Sequence, residues 1–197
     1  SPEYKEQTIK WQNPDATTSQ TNWTDGDTIR AAIGQSVNNY TPVIMNKYIA
    51  TLANGGTRYK FSVVDKVETS SGEIIEQSEP VVEQSINISQ ENLDAVYEGM
   101  RLVTQGTRGT LRTYFNDFPI NVAAKSGTAQ ENLLRSSHTW FVGFAPYENP
   151  QISVTVMIPF GEYSPTPSAI VGRNIIAEYM GLNYTPENSY MDVELAD

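Results

Sequence analysis

Three strand-like stretches in quick succession restrict this chain more than any other feature. The first is entered through Val122-Ala123-Ala124, the second runs from Thr139 to Phe144 and carries Trp140, Phe141 and Phe144, and the third, Ile152 to Ile158, is almost wholly β-branched or apolar. Such residues favour a pleated, half-buried surface. The links between them, Asn132 to Ser137 read as a turn and Tyr147-Glu148-Asn149-Pro150 as a tight connection, are too short for helical crossovers. Neighbouring strands joined in this way run antiparallel, so the stretch predicts a meander.

Helical patterns elsewhere must then cover the faces of that sheet. Thr41-Pro42 reads as a cap followed by proline at the first helical position, Asn54-Gly55-Gly56 as the end, and Val43, Met45, Ile49, Leu52 and Ala53 as the stripe between them. Ser89 caps a second helix through Leu93, Val96, Tyr97, Met100 and Val103, ending near Gly106. Thr166-Pro167 opens a third, with Ile170, Ile175, Ile176 and Tyr179 as its apolar face and Gly181 as its stop. Arg58 to Val67 and Ile74 to Val82 alternate around Ser70-Ser71-Gly72 and predict a hairpin. The stretch from Gly106 to Phe118 reads as loop. Residues 1–24 read as an irregular lead-in anchored by Trp11 and Trp23, Asp25-Gly26-Asp27 as a turn, and residues 183–197 as a loose tail. The fold class expected is α+β: an antiparallel β-sheet packed by α-helices, with a looser N-terminal lobe.

Composition removes several functions. With 13 Lys plus Arg against 23 Asp plus Glu, the formal charge of −10 repels phosphate backbones and anionic lipid heads, so nucleic acid is not an expected partner. The chain has no cysteine, hence no disulfide frame, thiolate metal site or cysteine nucleophile. Asp25-Gly26-Asp27 lacks the further carboxylates of a calcium loop, and His138, the one histidine, reads as a polar strand-end residue. No cofactor and no metal are expected. No apolar run has the length of a spanning helix, and Ser1-Pro2-Glu3-Tyr4-Lys5 is not a signal peptide. The opening without Met suggests a piece of a longer protein, with any anchor upstream.

The chemistry concentrates in Lys125-Ser126-Gly127-Thr128, left through Ala129-Gln130. On an extended segment Lys125 and Gly127 fall on one face and Ser126 and Thr128 on the other. A cation and two hydroxyls suit a carboxylate, the glycine permits a ligand backbone to approach, and following N–H groups can meet an oxyanion. A chance match to Lys-[Ser/Thr]-Gly-Thr in a chain this long is on the order of one in a hundred. The motif gains its meaning from its surroundings.

Those surroundings resemble the transpeptidase domain of penicillin-binding proteins, most like the class B, high-molecular-weight group. Gly26-Asp27-Thr28, Ala32-Ile33-Gly34-Gln35-Ser36 and Thr41-Pro42 are similar to that family's Gly-Gln segment and the helix after it, with Ala32 and Ser36 departing from the usual Ser and Gly. Ala53-Asn54-Gly55-Gly56-Thr57 resembles the end of that helix. Val122 to Gln130 resembles the third catalytic motif, and His138-Thr139-Trp140-Phe141-Val142-Gly143-Phe144-Ala145-Pro146 the strand paired with it. The likeness runs from about residue 24 to about residue 181. No Ser-x-x-Lys occurs in the sequence, and Ser36-Val37-Asn38 and Ser85-Ile86-Asn87 match the second motif's bare pattern in the wrong place.

The resemblance implies the C-terminal half of a serine D,D-transpeptidase that cross-links peptidoglycan stem peptides ending in D-Ala-D-Ala and is acylated by β-lactams. It implies that Lys125 places charge in the cleft, that Ser126 and Thr128 offer hydroxyls to the terminal carboxylate, that Gly127 lines the same wall, and that the Thr128 N–H is one oxyanion donor. The partner implied is the missing N-terminal half of the same domain, and the location is the outer face of a bacterial cell membrane. The fragment alone is expected to be inactive. The competing expectation is a non-enzymatic β-lactam or muropeptide sensor, or a degenerate binding scaffold of the same fold.

Overall fold

The computed structural model describes residues 1–35, 38–130, 135–161 and 166–183. Its chain divides into two compact units, Ser1–Thr41 and Pro42–Asp197.

The first unit is helical where irregular chain was expected. α1 (Pro2–Gln12) starts on the Ser1 hydroxyl, which accepts the Tyr4 N–H, and is followed by α2 (Thr18–Thr21) and α3 (Asp25–Ala32). The supposed turn at Asp25-Gly26-Asp27 is therefore the first turn of a helix. Its signal is the capping box Thr24-x-x-Asp27, in which the Asp27 carboxylate accepts the Thr24 N–H at 2.8 Å and the Thr24 hydroxyl accepts the Asp27 N–H at 3.3 Å. Trp11 does not anchor anything, being 84% exposed. The unit is tied instead by a polar pair. Lys5 Nζ lies 2.7 Å from the Asp27 carboxylate and donates to the Asn22 carbonyl at 2.7 Å, with both side chains buried.

The second unit is built on the expected meander. β5 (Ala123–Ala129), β6 (His138–Ala145) and β7 (Ile152–Ile158) form an antiparallel sheet in the order β5-β6-β7. Its pleat sorts side chains between two cores. On one face Ala123, Val142 and Phe144 pack with Ile49 of α4 (Pro42–Ala53) and Met100 of α5 (Gln90–Gln105). On the other, Ala124, Phe141 and Val154 pack with Leu111, Phe115 of α6 (Arg112–Phe115), and Ala169 and Ile176 of α7 (Thr166–Tyr179). Phe115, Phe141 and Phe144 have no exposed surface, and burying each contributes roughly 1.5–3 kcal/mol.

Three sequence expectations change here. The hairpin is an arm in two segments: β2 (Lys66–Glu68) pairs with β3 (Ile74–Gln77) around the turn at Gly72, while β1 (Thr57–Tyr59) pairs with β4 (Val82–Ser85). Pro80, which has no N–H to give, lies between the two ladders. The loop after Gly106 contains the short helix α6. α7 buries Ser168, Ala169, Arg173, Ile176 and Ala177, whereas Ile175 and Tyr179 are exposed. Ile176 is thus the one large apolar residue of the expected stripe that is fully buried, and the small residues Ala169, Gly172 and Ala177 let the helix approach the sheet. Part of the turn expected between β5 and β6, and almost all of the expected tail, lie outside the described residues. Among the described residues no helix is long and apolar enough to cross a membrane.

Candidate functional site on the sheet edge

Among the described residues β5 has one strand neighbour, β6, so the motif it carries stands at the margin of the sheet. Its head is fixed in the core: Ala123 and Ala124 are fully buried, and the Thr104 hydroxyl of α5 donates to the Val122 carbonyl at 2.5 Å. From Lys125 onward the strand emerges. Lys125 and Thr128 are exposed and Ser126 and Gly127 half-buried, so all four candidate residues come together on one accessible segment.

The register places each one. Lys125 pairs with Val142 and Gly127 with Trp140 on one face, Ser126 with Phe141 and Thr128 with Thr139 on the other, as alternation requires. The Lys125 ammonium donates to the Ser126 carbonyl at 2.6 Å, and no carboxylate among the described residues forms an ion pair with it. Ser126 Oγ lies 3.1 Å from Thr110 Oγ1, a hydroxyl of the loop between α5 and α6. Sequence reasoning missed Thr110 because nothing in Gly106-Thr107-Arg108-Gly109-Thr110 shows that this loop turns back onto β5. Gly127 has a structural reason for its size: a Cβ there would stand 3.2 Å from the Cβ of Trp140.

His138 begins β6, where it pairs with Ala129, and its Nδ1 accepts the Phe160 N–H at 3.2 Å. Of the two Ser-x-Asn patterns, Ser85 closes β4 on the arm, in a different sheet from the motif strand, and Ser36 lies outside the described residues. A cleft of about 200 Å³ between α4 and the arm is lined by Asn46, Lys47, Asn54, Tyr59 and Phe61 among others, and by no residue of β5. Its polar groups are engaged within the protein: Lys47 with Glu83, Asn54 with Thr57, Asn46 with Thr155.

The chain matches the family described as the penicillin-binding protein transpeptidase domain over residues 4–177, and it belongs to that family. It is 30% identical over 174 residues to the peptidoglycan D,D-transpeptidase MrdA of Haemophilus influenzae, covering 80% of this chain and 26% of that protein. Penicillin-binding protein 2B of Streptococcus pneumoniae is 31% identical over 141 residues, covering 66% of this chain and 21% of that protein. The structure of the pneumococcal protein superposes with a TM-score of 0.71 at 29% identity, over 86% of this chain and 29% of that one. An imipenem acyl-enzyme complex of penicillin-binding protein A from Mycobacterium tuberculosis shares the fold, with a TM-score of 0.65 at 24% identity over 77% of this chain and 33% of that one. The chain thus spans about a quarter of the length of the curated relatives it matches.

Proposed function

We propose that this chain carries the carboxylate-binding wall of a peptidoglycan D,D-transpeptidase that works through a serine acyl-enzyme and is blocked by β-lactams. The observation that carries the reading is the Lys125-Ser126-Gly127-Thr128 segment, with Lys125 and Thr128 exposed, on an edge strand whose cation has no carboxylate partner among the described residues. Lys125 attracts the terminal carboxylate of a D-Ala-D-Ala stem, Ser126 and Thr128 give it hydroxyl partners, and the Thr128 N–H serves as one oxyanion donor. The attacking serine and its lysine come from sequence outside these 197 residues, since no Ser-x-x-Lys occurs within them. The acylation of a structurally similar protein by imipenem supports the class of inhibitor. The intact parent is placed on the outer face of the bacterial cell membrane, held by an anchor outside this chain.

Intact-mass measurement after incubation with penicillin tests the reading. The parent protein gains one penicilloyl group per molecule, and the 197-residue chain gains none. An adduct on the isolated chain would overturn the assignment of the nucleophile, and an unmodified parent would favour a degenerate scaffold or non-enzymatic sensor.

A further inference from the structure

The far end of the motif strand carries an arrangement that the motif itself does not require. Phe160, in the turn after β7, has φ of 54°, the only positive φ of a non-glycine residue among those described. An L-residue enters that region at a cost, and persists there where its surroundings compel it. The surroundings here are specific. The Phe160 N–H donates to His138 Nδ1 at 3.2 Å, the two rings lie 4.8 Å apart between centroids, and the Arg135 guanidinium stands 5.1 Å from the Phe160 ring centre. The next residue, Gly161, passes so close to β6 that a Cβ on it would stand 2.9 Å from Thr139 Oγ1. Thr139 is fully buried, its hydroxyl has no hydrogen-bond partner among the described residues, and it sits directly opposite Thr128. A strained backbone and an unsatisfied hydroxyl, each unfavourable alone, thus coincide at the cross-strand neighbour of the last motif residue.

We propose that His138 is a positioning residue for the carboxylate site. By accepting the Phe160 N–H it holds the turn after β7 in its left-handed conformation over Thr139, and so fixes the strand against which Thr128 is registered. This rests on the reading of Thr128 as a carboxylate ligand given above. Acceptance through Nδ1 places the imidazole proton on Nε2. The acceptor atom matters, therefore, and the ring does not.

The test uses the full-length parent and penicillin, separating the dissociation constant of the initial complex from the rate of acylation. His138→Phe keeps an aromatic ring and removes the acceptor; it should raise the dissociation constant about threefold to tenfold, the worth of one neutral hydrogen bond, with the acylation rate within about twofold of wild type. His138→Asn presents Oδ1 close to where Nδ1 stood and should restore binding. Phe160→Gly adopts a positive φ without a Cβ penalty, so adding His138→Phe to it should change binding no further. Unchanged binding in His138→Phe, or Asn and Phe variants that behave alike, overturns the proposal. Lys125→Ala run in parallel separates the two readings. If Lys125→Ala impairs binding and His138→Phe does not, only the positioning role fails; if neither does, the carboxylate wall itself is misassigned.

Discussion

Gly172 of α7 lies against the ring of Phe141 on β6 so closely that a Cβ there would stand 2.3 Å from Cδ1 and 2.5 Å from Cε1. Phe141 has nowhere to go: it is fully buried and stacks on Phe115 at 6.0 Å. Alanine is favoured over glycine in a helix by about 1 kcal/mol, yet Gly172→Ala should destabilise, because overpacking a filled core costs about 1–3 kcal/mol. Chemical denaturation of the wild type and variant checks the sign.

Thr104 joins α5 to the head of the motif strand. Its hydroxyl is fully buried and donates to the Val122 carbonyl. Thr104→Val keeps the shape but leaves that carbonyl unsatisfied, and should cost about 1–3 kcal/mol. Urea unfolding reads the loss, and Thr104→Ser, which retains the donor, should recover most of it.

The Lys5–Asp27 pair gives the first unit its own acid response. Hydrogen bonds from the Lys5 ammonium, then from the Thr24 hydroxyl and N–H, hold the Asp27 carboxyl well below the usual carboxylate range, against a smaller upward push from burial. A depressed folded-state pKa contributes stability that is fully present above the unfolded value of about 3.8 and is lost as pH falls further toward the folded one. Asp27→Asn should therefore be less stable than wild type at neutral pH, and the gap should narrow from about pH 4 downward. Helical circular dichroism across a thermal melt at each pH measures it; a gap that widens in acid would show the sign to be wrong.

Lys125 is exposed and makes no ion pair among the described residues, so its removal should leave folding alone. In the parent protein Lys125→Ala should lower the second-order acylation constant by about tenfold to a hundredfold, the worth of a charge-assisted contact to a carboxylate, with an unchanged melting temperature. Neutral penicillin esters should show no such dependence.

The parts of this architecture that were legible in sequence are those whose signals are local and redundant. The meander announced itself through Phe141, Phe144 and the run Ile152 to Ile158, and α5 through Ser89 and the spacing of Leu93 and Met100, both buried as their positions require. The motif's alternation followed from strand geometry alone. What escaped reading depends on distant partners. α1 shows little amphipathic pattern and is tied down by Lys5, whose carboxylate partner lies 22 positions away. The apolar face of α7 was assigned to Ile170, Ile175, Ile176 and Tyr179; Ile176 is fully buried as assigned, but Ile175 and Tyr179 are exposed, and the helix also packs through Ala169, Gly172 and Ala177, which a periodicity based on size does not see. Thr110 comes to Ser126 only because a loop folds back, and the Phe160 turn is set by an imidazole 22 residues earlier.

The position of β5 at the rim of its sheet has a further consequence. A strand at a sheet margin is a template for any extended chain, not only for one intended guest. Charge is the usual guard on such rims, and here the ammonium of Lys125 occupies that post. That charge discourages adventitious strand-to-strand self-assembly, so neutralising it should make concentrated solutions of this chain clump.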